Sequence, residues 1–265
     1  MKSILLVTIY NKALTESSTI MSFAEQCKKY HGIVELFVWD NSTDKDIDNS
    51  RSKLGNINFS YHKSADNHPL SSVYNKIIDK YSDYDLLFNF DDDSTITEEY
   101  FDKMLDAYQQ CRDVGMFCPV ICHGNIYVSP GTIARYKFDY LKEIQYGMIS
   151  SDKIIAITSG TALSLPAISK AHLRYDESLD LYGIDLKFSI DYAQRFDKLY
   201  IVDYILRHDL SIFDRTEDRM TKIRKLKNGF KAERAIMSYI KASFLFHAYS
   251  YLRFAYRYFY YLIIY

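Results

Sequence analysis

Three carboxylates stand in a row at Asp91-Asp92-Asp93, directly after the apolar run Tyr84–Phe90. Like charges massed beside a buried strand are costly unless something positive sits among them. Asp91 and Asp93 are two residues apart, so in extended chain they point to the same side. A divalent cation carrying diphosphate oxygens would neutralise that pair, since magnesium commonly uses one or two carboxylates completed by substrate phosphates. The alternative is a solvated acidic turn with helix caps at Ser94 or Thr97. Two more polar clusters end apolar runs in the same way: Tyr10-Asn11 after Ile4–Ile9, and Asp40-Asn41-Ser42 after Val34–Trp39. Cys111, Cys118, Cys122 and His123 have imperfect zinc spacing, and Cys118 and Cys122 bracket an apolar strand, which favours buried thiols. No Gly-x-Gly-x-x-Gly or Walker-type loop occurs, so dinucleotide and P-loop readings lose support.

Periodicity supplies the elements that must hold these residues. Ile4–Ile9, Val34–Trp39, Ile57–Tyr61, Tyr84–Phe90 and Val114–Ile121 read as strands. Between them, Leu14–Tyr30 has helical length, a second helix has Pro69 in its first turn after Asn67 or His68, and a third runs from Thr97 to about Cys111. This alternation predicts an α/β fold, a mostly parallel sheet with helices on both faces. Ligands in such sheets bind beyond the carboxyl ends of the strands, where the three polar clusters fall. Further on, Ile154–Ile157 and Thr161–Leu165 read as strands around a Thr158-Ser159-Gly160 turn. Pro166 starts a helix toward His172, Ile184–Phe196 is helical and Tyr200–Leu206 is a strand.

The ordered set of motifs resembles family 2 glycosyltransferases, over about residues 3–210. Val7-Thr8-Ile9-Tyr10-Asn11 resembles their opening strand, Phe37–Asp44 their second strand with its nucleotide-base Asp, and Asn67–Asn75 the helix start of a rhamnosyltransferase-like bacterial branch. Leu87–Ser94 matches the DXD signature and its strand. Thr158-Ser159-Gly160 resembles the Ser-Gly before the acceptor region, and Tyr182–Asp185, Arg195 and His208 resemble the downstream acid, Arg and His. The resemblance implies a GT-A fold, Rossmann-like in its nucleotide-binding sheet, and inverting transfer of a sugar from a UDP- or dTDP-linked donor. Thr8, Tyr10, Asn11, Asp40, Asn67, Asn75, Asp91 and Arg195 would meet the nucleotide, with Asp40 accepting from a pyrimidine N3–H. Asp91, Asp93 and His208 would hold Mn2+ or Mg2+. Asp185, presented by Tyr182-Gly183 at a helix start, would be the general base, with Asp191 the alternative; otherwise Asp191 reads as a surface helix acid. Arg195 could instead pair with an acid on its own helix. The chain departs from the family where Thr8 replaces Pro, Pro69 replaces Gly, and Ile184-Asp185 replaces Glu-Asp. The Gln-x-x-Arg-Trp pattern of processive synthases is absent, which implies one sugar per event. A nucleotidyltransferase would need a Gly-rich loop, and Ile9–Ala13 has no Gly. The rival of another class is a non-catalytic module recruiting partners at the membrane.

At 265 residues and 48% apolar composition, the chain can bury a sizeable core, and its four Cys make no disulfide scaffold. The near-neutral total of −1 hides an acidic body and a basic tail, in which ten Lys/Arg from Arg219 onward face one acid, Glu233. Residues 1–215 read as the catalytic domain and 216–265 as a helical extension, with helices over about 218–228 and 230–262 on either side of Gly229. Twelve of the 25 Tyr and 16 Phe crowd into residues 235–265. Basic residues followed by aromatics fit an anionic membrane surface. They fit nucleic acid less well, since that needs the two interleaved. A lipid-linked glycan acceptor would explain such an anchor; part of the tail could equally close the core. The short run Ile4–Ile9, closed by Asn11 and Lys12, does not make a signal peptide, and no spanning run exists. The expected location is therefore cytoplasmic, peripheral on the inner face of the membrane.

Overall fold

A computed structural model describes residues 1–43, 54, 57–124, 126–134, 137–141, 143–207 and 218–263. Five strands form where strands were read: β1 (Ser3–Ile9), β2 (Val34–Asp40), β3 (Phe59–Lys63), β4 (Leu86–Phe90) and β5 (Met116–His123). Between them lie α1 (Ser18–Gln26), α2 (Leu70–Lys80) and α3 (Glu98–Gln110). The poorly patterned middle forms β6 (Ile126–Ser129), β7 (Gly131–Ala134), β8 (Lys137–Tyr140), β9 (Gly147–Ser150), β10 (Ile154–Ile155) and β11 (Ala162–Ser164). It is followed by α4 (Leu165–Lys170), α5 (Ile184–Ala193), β12 (Lys198–Arg207), α6 (Arg219–Tyr239) and α7 (Phe244–Ile263).

The main sheet has the order β3-β2-β1-β4-β11-β5-β12-β9, with β6 on β5, while β7, β8 and β10 form a small separate sheet. β3, β2, β1 and β4 are mutually parallel, β5 and β12 are parallel, and β11 runs antiparallel between β4 and β5. The strand order turns back at β1, which has β2 on one side and β4 on the other. Their ends are level, with Ile9 beside Asp40 and Val7 beside Phe90. The crevice beyond β1 and β4 is thus the topological switch point where ligands of open α/β sheets bind.

Alternation along β1 assigns its side chains to two cores. Leu5, Val7 and Ile9 pack with Ile20 and Phe23 of α1 and Tyr100, Phe101 and Met104 of α3. Ile4 and Leu6 pack with Val73 and Ile77 of α2, Ile168 of α4, Phe188 of α5 and Ala232 of α6. α6 is therefore part of the body rather than a loose appendage.

Several boundaries differ from the sequence reading, each for a physical reason. Leu14–Tyr30 is not one helix: short 3-10 turns flank α1, because the Ser17 side chain caps it, accepting from the Ile20 N–H at 3.2 Å. Pro69 sits just outside α2, as its N-cap. The tail breaks at 240–243 instead of at Gly229, where Lys241 takes a positive φ of 53°. A lone glycine inside a helix costs only about 1 kcal/mol, so Gly229 need not interrupt it. At Gly160 (φ +83°) a Cβ would lie 2.5 Å from the Leu206 side chain, so both conformation and space demand glycine in the turn before β11.

Candidate active site

The acidic loop after β4 is held from below by hydroxyls at the start of α1. Thr19 donates to the Asp91 carbonyl at 2.6 Å, and Ser17 to the Asp92 carbonyl at 2.9 Å. The N–H groups of Ser94 and Ile96 donate to Thr19 and Ser22 at 3.0 and 2.9 Å. From the other side, the Asp91 N–H donates to Ser159 Oγ at 3.0 Å. The loop's course is thus fixed through its backbone groups, at the carboxyl end of β4. Asp92 is turned away from the others onto Lys12, Nζ to Oδ1 2.8 Å.

Asp91 carries the strongest electrostatic signature. Burial first, then the charges of Asp93, Asp185 and Asp92, push its carboxyl up to about 7, with a Ser159 hydrogen bond opposing. Asp185, in the first turn of α5, is brought to the same place. Its Oδ1 accepts from the Thr158 N–H at 3.3 Å and from the Thr158 hydroxyl. Burial raises its pKa while the Thr158 bonds oppose the rise. Gly183 positions it, entering the helix at φ +79° against Ala232 and Ile236 of α6. Asp91 thus feels the charges of carboxylates from two distant segments, Asp92 and Asp93 beside it and Asp185 of α5.

Among the described residues no three His, Cys, Asp or Glu side chains converge as a ready-made cation cage. Asp91 and Asp93 still fit a metal of the magnesium type, whose shell phosphate oxygens and water complete. The massed charge that raises Asp91 is an observation on this chain in favour of that fit. His208 lies outside the described residues.

The nucleotide-side residues divide into exposed and committed groups. Tyr10 is 48% exposed at the end of β1, offering an aromatic face beside the crevice. Asn11, exposed and at φ 49°, donates its N–H to Ser42 Oγ at 2.7 Å and accepts at Oδ1 from the Thr43 N–H at 3.0 Å, tying the ends of β1 and β2 together. Asn67 is exposed on the loop before α2. Asp40, by contrast, is fully buried. Burial alone would raise its pKa, but hydrogen bonds from Ser42, Tyr61 and Lys63 outweigh this and hold it below the usual carboxylate value. In this arrangement it orders the β2–β3 edge and presents no free surface to a base. The Thr8 hydroxyl is buried and finds no partner among the described residues, as do both amide atoms of Asn89 on the neighbouring strand. Asn75 clamps α2 to the segment before α5, donating to the Tyr175 carbonyl and Glu177 at 2.9 Å each and accepting from the Tyr175 N–H at 2.8 Å. Arg195 bonds the Asp191 carbonyl at 3.0 Å, at the opposite end of α5 from Asp185. It meets a main-chain carbonyl of its own helix rather than an acid.

Asp191 is no surface acid: it is buried, ion-paired with Lys187, and accepts from Tyr239 OH of α6 at 2.7 Å. Cys118 and Cys122 are buried thiols, and burial pushes Cys118 up to about 12. The sequence reading assigned no role to Lys12, to the hydroxyls of Ser17 and Thr19, or to Thr158. Only the Ser17-Ser18-Thr19 cluster had a local signal, as a helix cap; the Lys12 pairing is long-range and has none.

No family model matches the sequence, and no curated protein matches it. Solved structures do share the architecture. S. aureus TarS 1-349 in complex with UDP-GlcNAc superposes with a TM-score of 0.63 at 15% identity, covering 94% of this chain and 69% of that one. S. aureus TarS gives 0.59 at 14% identity over 88% of this chain, which spans only 43% of that protein. GalNAc-T7 with UDP, GalNAc and Mn2+ gives 0.61 at 14% identity, over 87% of this chain and 47% of that one. The chain has the GT-A fold of these glycosyltransferases.

Proposed function

We propose that the chain is a glycosyltransferase that moves a single hexose from a UDP- or dTDP-linked donor to a glycan or lipid-linked glycan acceptor, with inversion. The observation that carries this is the part-buried Asp91 at the carboxyl end of β4, close enough to Asp93 and to Asp185 of α5 to be raised by their charges, with Tyr10 exposed at the end of the neighbouring β1. The motif order of the rhamnosyltransferase-like branch and the two UDP-bound neighbours of the same fold support a nucleotide-sugar donor.

The proposed division of labour is supported by the surroundings of each residue. Tyr10 stacks on the base, while Asn11 keeps that edge in place. Asp185 takes the proton of the acceptor hydroxyl as the oxygen attacks the anomeric carbon from the side opposite the diphosphate, which inverts that centre. Burial raises its pKa, which makes it a stronger base than a solvated carboxylate, and Thr158 fixes its orientation. Asp91 and Asp93 would hold Mn2+ or Mg2+, which when bound supplies Lewis-acid stabilisation of the leaving diphosphate. Lys12 keeps Asp92 out of that set. The basic α6 and aromatic α7 seat the enzyme on the inner, anionic face of a bacterial membrane, where a polysaccharide intermediate on a lipid carrier would be reached. Residues 1–215 and 216–265 are then catalytic domain and membrane-facing extension, with α6 shared between them. No described helix is long and apolar enough to cross a membrane.

The test is a thermal-shift panel of UDP, dTDP and their sugars, with and without Mn2+. A ligand bound only by the folded chain raises its melting temperature. A metal-dependent rise, lost in Asp91→Asn and Asp93→Asn, is expected. No rise with any of them in a folded sample would overturn the reading.

A further inference from the structure

An apolar cavity of about 220 Å3 lies between α5, α6 and the start of α7, away from the nucleotide crevice. Its walls include Tyr182, Leu186, Ile236, Met237, Ile240 and Phe246. Gly183 and Leu186, which both line it, flank Asp185 at the start of α5, so the cavity is built on the same helix turn that carries the base. A smaller, more polar depression shares Tyr182 and Ala232 with it and is lined by Asn228 and Lys231. Lys231 stays mostly exposed there, 4.0 Å from Asp180.

We propose that this cavity receives the hydrocarbon chain of a phosphate-linked lipid acceptor, next to the carboxylate that activates the acceptor sugar. The inference rests on the glycosyltransferase reading and names its acceptor class. Size supports it: an apolar cavity of ~150 Å3 accepts benzene, so by proportion this one takes about nine carbons, close to two isoprene units. Chemistry supports it too: apart from Glu233, whose carboxylate is held by Arg253, the lining is apolar, while Asn228 and Lys231 next door offer donors to a phosphate. The position agrees as well. Phe246 of the cavity wall follows Phe244 and Leu245, which are 83% and 79% exposed, so apolar surface leads from the outer face of α7 into the cavity.

Gly229 provides the test. It lines the cavity, and a Cβ placed there meets nothing within 4 Å, so the backbone admits a side chain at this wall and Gly229→Phe is the variant that narrows the space. Gly229→Ala controls for the change in helix propensity, and Ile240→Glu puts a charge on the wall. Binding of geranyl phosphate, farnesyl phosphate and inorganic phosphate is measured by calorimetry on the full chain, below the lipids' aggregation threshold. Geranyl phosphate should bind, farnesyl phosphate within about threefold of it, and inorganic phosphate not at all. Gly229→Phe and Ile240→Glu should each weaken binding at least tenfold, and Gly229→Ala by less than twofold. Affinity that climbs steeply with chain length and ignores Gly229→Phe would overturn the proposal, since that describes adsorption to α7. No binding of either lipid would overturn it as well. The UDP–Mn2+ thermal shift, measured on the same samples, separates the two readings. A shift without lipid binding sinks only the cavity proposal, and cavity-dependent lipid binding without a shift sinks the transferase.

Discussion

Thr158 donates to Asp185 twice, from its main-chain N–H at 3.3 Å and from its hydroxyl, and so ties the start of α5 to the turn before β11. Both bonds favour the ionised carboxylate against the burial that disfavours it. Thr158→Val keeps the shape and the main-chain bond but removes the hydroxyl. The Asp185 pKa should then rise further, and less of the base is ionised at a given pH. The acidic limb of the kcat/KM profile should move up by about one pH unit, with the plateau at high pH little changed. An unmoved limb would show that Asp185 is not the titrating base.

The position of Asp91 makes the fold pH-sensitive in an unusual direction. Its carboxyl is raised from 3.8 to about 7, chiefly by burial and then by Asp93, Asp185 and Asp92. A group protonated more readily in the folded chain supports folding fully below pH 4, and that support is lost as pH rises through about 7. The full linkage would be ~4 kcal/mol, and the remaining solvent contact of Asp91 brings it nearer 2. Asp91→Asn should therefore melt several degrees above wild type at pH 8 and equal it at pH 4. Equal melting temperatures at both pH values would contradict this crowding of charge.

Asp185 and Asp191 lie on the same helix but in different surroundings, which separates their roles experimentally. Asp191 is one wall of a buried charge pair: Lys187 contacts it, lies 3.9 Å from Asp176, and sits 3.6 Å from the centre of the Tyr239 ring. Asp191→Ala leaves that ammonium only the more distant Asp176 and leaves Tyr239 of α6 only Gln194, at a cost of about 3 kcal/mol by urea unfolding. Asp185→Asn should leave stability within about 1 kcal/mol and lower turnover by roughly 10²-fold or more. The reverse pattern would exchange the two assignments.

What could be read from the chain was what local pattern decides. The strands ending at Ile9, Asp40 and Phe90 are mostly apolar runs closed by polar clusters, so both their existence and their ends were legible. α3 was equally clear, with Glu98 and Glu99 in its first turn and a close match from start to finish. The region 122–175 was not, because its strands are only two to four residues long outside β5 and draw their stability from pairing with distant segments. The same limit applies within the site. Asp91 and Asp93 were visible as a pair, but the bonds that commit Asp40 come from Tyr61 and Lys63 on the neighbouring strand β3, more than twenty residues away in the chain. β3 is shifted toward the C-terminus from its expected place, and that shift puts Lys63 at the strand end, opposite Asp40. Asn75 looked like a ligand residue and is a tertiary clamp, a distinction that only its partners at Tyr175 and Glu177 reveal.

The last prediction concerns α7. One side packs on α6, where Phe254 stacks on Phe230 at 4.2 Å between ring centres. The other carries Leu245, Tyr249, Leu252, Tyr256, Phe259 and Ile263, spaced alternately by four and three residues and 56–79% exposed. Such a stripe is unfavourable in water and needs a cover. α6 beside it presents Arg219, Lys222, Arg224, Lys225, Lys227, Lys231 and Arg234 against Glu233 alone. That charge favours an anionic lipid surface over a second copy of the same basic helix pair, which would repel it. Deleting the whole tail would be a poor test, because Ala232, Ile236 and Met237 of α6 are buried in the body. Leu252→Glu with Phe259→Glu instead changes two side chains that are 72% and 58% exposed, so the melting temperature should hold. Partition onto vesicles with anionic lipid should fall at least about 30-fold, from two lost apolar insertions. Wild-type binding should weaken between 0.1 and 0.5 M salt, as screened attraction requires. Undiminished vesicle binding by the double variant would sink the anchor, and a wild-type dimer in sedimentation that the variant abolishes would assign the stripe to a helix partner instead.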